Sequence, residues 1–254
     1  MYLSQLLINP GAHSDAPRPG IDWVQQTYRV HQRLWMAFPD ETTKKADPFF
    51  LGSWSSEKLA KTSRDESGFL FRIEPDPPHR ILVQSKEPPH WDYAFQNAKR
   101  LLAAEPQVRE FNPQITAGQQ FRFRVVMLMV KRSTETKDDG TKQKREHPIR
   151  CFLPGEDTNG RRQPDPEFTA WWDRFNCVSE QNGFEVDKEL RSVTPVTNLH
   201  MKPSGNTQPA RFNAASFEGV LKCTDQEKLE RAVCCGIGRG KSFGMGLLSL
   251  AKIV

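Results

Sequence analysis

Apolar and polar positions alternate along Met1-Tyr-Leu-Ser-Gln-Leu-Leu-Ile8, which predicts a β-strand over Tyr2 to Ile8. A loop rich in proline and glycine runs from Asn9 to Gly20. A core stripe then recurs at helical spacing through Trp23, Thr27, Val30, Leu34 and Phe38. It predicts a helix from Trp23 to Phe38, with Asp22 as its N-cap and Pro39 as its stop. Thr42 to Ser67 is polar and irregular apart from Phe49-Phe50-Leu51. Phe69 to Ile73 and Arg80 to Gln84 flank a proline turn (Pro75, Pro77, Pro78) and read as a hairpin. A second helix over Trp91 to Leu102 and a short strand over Val108 to Phe111 complete six elements.

Asn112 to Gly118 reads as a linker. Beyond it, Phe121 to Val130 is the longest apolar run and predicts a central strand. A charged stretch from Lys131 to Arg150 carries a turn signal, Asp138-Asp139-Gly140. Pro166 to Asn182 predicts a helix with Trp171, Trp172 and Phe175 on its apolar side. Strands are expected over Phe184 to Val186, Arg191 to Val196 and Arg211 to Lys222. Asp225 then caps a helix through Cys234, and Leu247 onward closes the sheet. Both halves run strand, helix, strand, strand, helix, strand, without repeated sequence. Two tandem ferredoxin-like (RRM-like) βαββαβ domains of the α+β class, 1–113 and 119–254, are the economical solution.

At 254 residues and 37% hydrophobic content the chain supports real cores. Its net charge of +5 and pI near 9.0 favour a polyanionic partner, so the placement of the charge matters more than its sum. The five cysteines form no CxxC pair, which argues for reduced thiols in a cytoplasm. The six histidines include no HExxH, so no metal site is expected. The N-terminus lacks the basic segment of a signal peptide, and no apolar stretch reaches membrane-spanning length.

The last twenty residues, Cys235 to Val254, carry the strongest chemical signal. Gly236, Gly238, Gly240, Gly244 and Gly246 surround Arg239, Lys241 and Ser242. Glycines bend tightly and expose N–H groups, and the cations attract negative charge, which suits a phosphate backbone. A P-loop would need a glycine where Cys235 stands, so nucleotide hydrolysis is excluded. A glycine-rich turn with no ligand is the plain alternative. In the first helix, Tyr28 and His31 sit three residues apart and share a face with Trp35, near Arg29 and Arg33. An imidazole there can exchange protons at neutral pH, or it can be a structural histidine; spacing alone does not decide. Lys131, Arg132, Lys142, Lys144, Arg145 and Arg150, extended by Arg161-Arg162, read either as a basic hairpin gripping a duplex or as a solvated loop.

Together these motifs resemble the CasE family, the CRISPR repeat-RNA endoribonucleases of the type I-E Cascade complex. The resemblance rests on the opening Met-Tyr-Leu-Ser, on Tyr28-x-x-His31 followed by Leu34-Trp35, and on Phe217-Glu-Gly-Val-Leu221. It rests above all on Gly236-Ile-Gly-x-Gly-Lys-Ser-Phe-Gly-Met-Gly-Leu-Leu-Ser-Leu250, and it spans the chain. It implies a metal-free cut at the base of a CRISPR repeat stem-loop. The 2′-hydroxyl attacks the adjacent phosphate and leaves a 2′,3′-cyclic phosphate and a 5′-hydroxyl. His31 would act as general acid or base, and Tyr28 would orient the phosphate. Gly238, Arg239, Gly240, Lys241, Ser242, Gly244 and Gly246 would approach the RNA backbone, and the basic hairpin would track the stem. The same resemblance implies no cofactor, retention of the product and other Cascade subunits as partners. A non-catalytic subunit that anchors the RNA hairpin is the alternative reading. Two features depart from the family. Thr42 to Ser67 and Pro154 to Pro166 are long or divergent, and Val126-Met-Leu-Met129 replaces an Arg-Ala-Asn-Pro segment, which removes polar groups from that strand.

Overall fold

A computed structural model describes residues 1–11, 17–39, 68–74, 77–136, 142–149, 151–152, 163, 165–196, 200–201, 210–211 and 213–253. The expected Phe49-Phe50-Leu51, Asp138-Asp139-Gly140 and Arg161-Arg162 features, and Arg150, lie outside these residues.

In the first half, β1 (Tyr2–Leu7), β2 (Phe69–Glu74), β3 (Arg80–Ser85) and β4 (Gln107–Glu110) form an antiparallel sheet in the order β2-β3-β1-β4. In the second, β5 (Gln120–Leu128), β8 (Phe184–Val196), β11 (Ala214–Cys223) and β12 (Ser249–Lys252) form another in the order β12-β5-β11-β8. Counted from each half's own first strand, both sheets read 4-1-3-2, so both halves are ferredoxin-like. The second half adds two ribbons. β6 (Val130–Thr136) pairs with β7 (Lys142–Pro148), and β9 (His200–Met201) pairs with β10 (Ala210–Arg211).

The helices depart from the sequence reading. The first is two helices, α1 (Pro19–Val24) and α2 (Thr27–Trp35), interrupted at Gln25 and Gln26. It begins early because Pro19 takes the first helical turn, where its missing N–H costs nothing. Asp22 is therefore not the cap. It lies in the first turn, where its charge still suits the positive end of the helix. Gly20 holds α1 close to the sheet end, since a Cβ there would stand 2.4 Å from the Asn9 carbonyl oxygen. The second expected helix shortens to α3 (Trp91–Phe95) plus a 3-10 turn at Lys99–Leu101. The Pro166 to Asn182 helix divides into α4 (Pro166–Thr169) and α5 (Trp171–Gln181). The two strands expected after it are one strand, β8, with a register shift opposite Gly219 and Leu221. The last helix, α6 (Gln226–Cys235), is capped as expected: the Lys228 amide donates to Asp225 Oδ1 at 3.1 Å.

Each sheet has its own apolar core. Leu6, Val30, Leu34, Phe71, Ile81, Val83 and Phe95 fill the first. The second is a phenylalanine stack, with Phe175 parallel to Phe217 at 4.6 Å and to Phe123 at 5.9 Å. The expected linker is not slack, because Ile115 is buried in the second core.

The halves meet through polar groups. Arg72, on edge strand β2, is 4% exposed and pairs with Glu74 at 2.8 Å. Its Nη1 also donates across the junction to Ser249 Oγ at 2.9 Å and to the Leu247 and Arg124 carbonyls at 3.3 Å. Arg124 returns to Glu74 at 2.7 Å and to Glu218 at 3.0 Å. Gln84 donates to the Val233 carbonyl at 2.6 Å. Burial pulls the Arg72 guanidinium below its ordinary range while Glu74 opposes the shift, so the bonded carboxylate keeps the buried cation charged.

Candidate active site

α2 brings Tyr28 and His31 to the junction of the halves. Thr27, Val30 and Leu34 turn its core face inward, which leaves Tyr28 half-buried toward the glycine-rich segment. The Tyr28 and Phe243 rings lie 6.3 Å apart, between centroids. The 3-10 turn Lys241–Phe243 packs directly on α2, so two motifs far apart in sequence are adjacent in space.

His31 lies inside the core, 2% exposed. It stacks on Phe69 at 5.3 Å and on Phe71 at 6.0 Å, and meets the Trp35 edge at 5.8 Å. Both partners on the ring face come from β2, which no pattern within the helix could reveal. Neither ring nitrogen has a hydrogen-bond partner among the described residues. Burial lowers the imidazole from 6.5 to about 4, so it is neutral at pH 7 and one nitrogen carries a lone pair.

The glycine-rich segment turns on five left-handed glycines, Gly236, Gly238, Gly240, Gly244 and Gly246, with φ between 71° and 83°. Two of them also permit close approach. A Cβ on Gly244 would stand 3.0 Å from the Phe71 ring, the ring that stacks on His31, and one on Gly246 would stand 2.5 Å from the Ile237 carbonyl. Several loop amides are already committed. Ile237 donates to Gly246, Gly246 to Val126, Phe243 and Met245 to Gly240, and Gly244 to Lys241. The expected display of N–H groups is therefore narrower than composition suggested, and these glycines serve first to shape the loop. Gly238 is exposed, and Arg239, Gly240, Lys241 and Ser242 are half-buried.

The apolar Val126–Met129 segment is the floor of this loop. The Gly246 amide donates to the Val126 carbonyl at 2.7 Å, and Met127 Cε would lie 2.8 Å from a Cβ on Gly238. The β6–β7 ribbon springs from the same end of β5, tied by the Ile149 amide to the Met129 carbonyl at 3.0 Å. Its register opposes Lys131 to His147, Arg132 to Glu146, Ser133 to Arg145, Thr134 to Lys144 and Thr136 to Lys142. α2, the glycine-rich turn and the root of the β6–β7 ribbon thus converge on one region. Sequence reading missed Arg72, although a lone cation inside Phe69-Leu-Phe-Arg-Ile73 was its signal. Among the described residues no group of three potential metal ligands gathers, and no helix is long and apolar enough to cross a membrane.

Known proteins share this fold. The chain is 26% identical over 257 residues to the CRISPR system Cascade subunit CasE of Escherichia coli (strain K12), covering all of both chains. It is 25% identical over 266 residues to the CRISPR-associated endoribonuclease Cse3 of Thermus thermophilus, covering 99% of this chain and all of that one. A solved structure of Cse3 bound to a 19-nucleotide RNA has the same fold, with a TM-score of 0.64 and 21% identity over 98% of both chains. The family model described as CRISPR associated protein matches residues 1–252, and the chain belongs to that family.

Proposed function

We propose that the protein is a cytoplasmic CRISPR repeat-RNA endoribonuclease that holds its cleaved product as a Cascade subunit. The observation that carries this reading is the convergence of His31 and Tyr28 with Lys241 and Ser242 at the junction of the two halves. Residues 1–113 supply the proton-transfer helix, and residues 119–254 supply the phosphate-facing loop and the basic ribbon. The names of the two relatives support the same activity and assembly.

The chemistry needs no external nucleophile. The ribose 2′-oxygen attacks the adjacent phosphorus as its proton passes to a base. The bond from phosphorus to the 5′-oxygen breaks, that oxygen takes up a proton, and a 2′,3′-cyclic phosphate remains. Neutral His31 is in the form that accepts a proton, and Tyr28 stands at the loop that would hold the phosphate. Such proton transfer contributes roughly 10²–10⁴-fold, and alignment for in-line attack supplies much of the rest. Arg132, Lys131, Lys142, Lys144, Arg145 and Arg150 would grip the stem through its phosphates, because the A-form major groove hides base edges.

A second reading, a non-catalytic anchor for an RNA hairpin, is favoured by one observation: His31 is buried, and among the described residues neither ring nitrogen has a hydrogen-bond partner. One experiment separates the two. The protein is incubated with its repeat hairpin in EDTA, beside His31→Ala and beside a hairpin with a 2′-deoxy nucleotide at the cut. A cyclic-phosphate end that requires both His31 and the 2′-hydroxyl is expected. Tight binding without cutting would leave the anchor.

A further inference from the structure

A second unpaired polar group lies one turn from His31. Thr27 is 0% exposed, and among the described residues its hydroxyl has no hydrogen-bond partner. It stands on the core stripe between Trp23, Val30 and Leu34, where valine would fill the same space. An unpaired buried polar group costs roughly 1–3 kcal/mol, so a lone hydroxyl there is a poor choice for packing alone.

The helix places the two groups together. Residues four apart lie on one face with Cβ atoms about 5–6 Å apart. Helical side chains lean toward the N-terminus, so the His31 ring lies over the turn that holds Thr27. A helical threonine has two accessible χ1 rotamers, so its hydroxyl can be redirected without moving the backbone. Among the described residues the aromatic side chains packed on the ring offer no other acceptor: Phe69 and Phe71 have no polar side-chain atom, and the Trp35 indole only donates. Of the two ring nitrogens, Nδ1 is nearer the helix and Nε2 is at the far tip.

We infer that Thr27 is a positioning residue for His31. In the RNA-bound protein its hydroxyl accepts a hydrogen bond from Nδ1–H, which leaves the Nε2 lone pair to take the proton from the RNA. The tautomer of a histidine is set by the bond its other nitrogen makes, so this contact decides which atom reacts. The inference rests on the proposed role of His31.

The test uses the full-length protein with ¹⁵N-labelled histidine, bound to a repeat hairpin made uncleavable by 2′-deoxy substitution. Long-range ¹H–¹⁵N correlations of His31 read its tautomer. Wild type and Thr27→Ser are expected to show Nδ1–H, and Thr27→Val is expected to move toward Nε2–H, the form a free imidazole prefers. With cleavable hairpin, single-turnover cleavage by Thr27→Val should fall about tenfold and recover in Thr27→Ser, while hairpin affinity stays within about twofold. An unchanged tautomer in Thr27→Val overturns the inference, as does full cleavage by that variant. If His31→Ala itself still cleaves, the proposed function fails instead, and no Thr27 outcome imitates that result.

Discussion

The two halves share one strand order and differ in what they add to it. The first half breaks its first helix at Gln25 and Gln26, and the second piece aims Tyr28 outward and His31 inward. The second half packs α5 and α6 on the phenylalanine stack and extends the end of its first strand into a basic ribbon. It closes with the glycine-rich turn. The first half thus carries a buried imidazole, proposed above as the proton-transfer group, and the second carries charge and a shaped loop. Neither half holds the whole proposed site, and the difference teaches that the junction would make that site as much as the residues do.

The largest test of that comparison breaks the junction. Arg72→Met removes the guanidinium that joins β2 to β12 while Glu74 keeps Arg124. Breaking a buried pair costs about 3–5 kcal/mol, and the remaining partner should hold the loss near the lower figure. Urea unfolding should lose cooperativity between the halves, and hairpin cleavage should fall with it. A variant as stable and as active as wild type would show that the halves are set by apolar contact alone. Arg72→Lys should recover only part, because one ammonium cannot reproduce the bonds of the planar fork.

Next comes the pH dependence of the sheltered group. The unfolded imidazole binds protons near 6.5 and the folded one near 4, so between those values the unfolded chain holds more protons. Stability from this group is therefore complete above the upper value and is lost as pH falls toward the lower one. By about pH 4.5 the loss amounts to roughly 2–3 kcal/mol. His31→Phe, which fits the aromatic cage and does not titrate, should lack this component when urea stabilities at neutral and acid pH are compared. An equal acid slope in both proteins would mean that His31 stays accessible to protons when folded.

Much of this architecture was legible beforehand. Alternation marked β1, the proline turn marked the β2–β3 hairpin, and the longest apolar run marked β5. The helix break was not legible, since Gln25 and Gln26 are adequate helix formers and carry no local stop signal. Pro19 was a readable start signal that Asp22 obscured. Tyr28, His31 and the glycine segment stood out as candidates by composition and order, and the family resemblance supplied their expected roles. Their arrangement was not legible, because Phe69 and Phe71 on His31, and Phe243 on Tyr28, are contacts between distant segments. Arg72 reads as an exception inside an apolar strand, and only the opposite sheet explains it.

On the second half, charge reversal at Lys142, Lys144 and Arg145 should weaken hairpin binding by about ten- to a hundredfold and flatten its salt dependence. The log–log slope should drop by about 0.7–0.9 for each phosphate that the ribbon no longer neutralises. Filter binding across a salt series reads both quantities. Unchanged affinity and slope would make the ribbon a solvated extension and transfer the electrostatic role to Lys241 and its neighbours.

The smallest effect separates two contributions of one residue. Tyr28 touches the glycine-rich turn through its ring and can reach a phosphate only through its hydroxyl. Tyr28→Phe keeps the ring against Phe243, so loop packing should hold and thermal stability should stay near wild type. Cleavage should fall by about tenfold or less, because one neutral hydrogen bond contributes about 0.5–1.5 kcal/mol. Tyr28→Ala removes the ring pairing too, worth about 0.5–1.5 kcal/mol beyond its buried area. It should therefore loosen the turn and weaken hairpin binding as well as cleavage. If the two variants cleave and bind alike, the ring does not brace the loop and the hydroxyl alone links the two halves of the site. If Tyr28→Phe is indistinguishable from wild type, Tyr28 is a packing residue, and the phosphate is left to Lys241, Ser242 and the backbone around them.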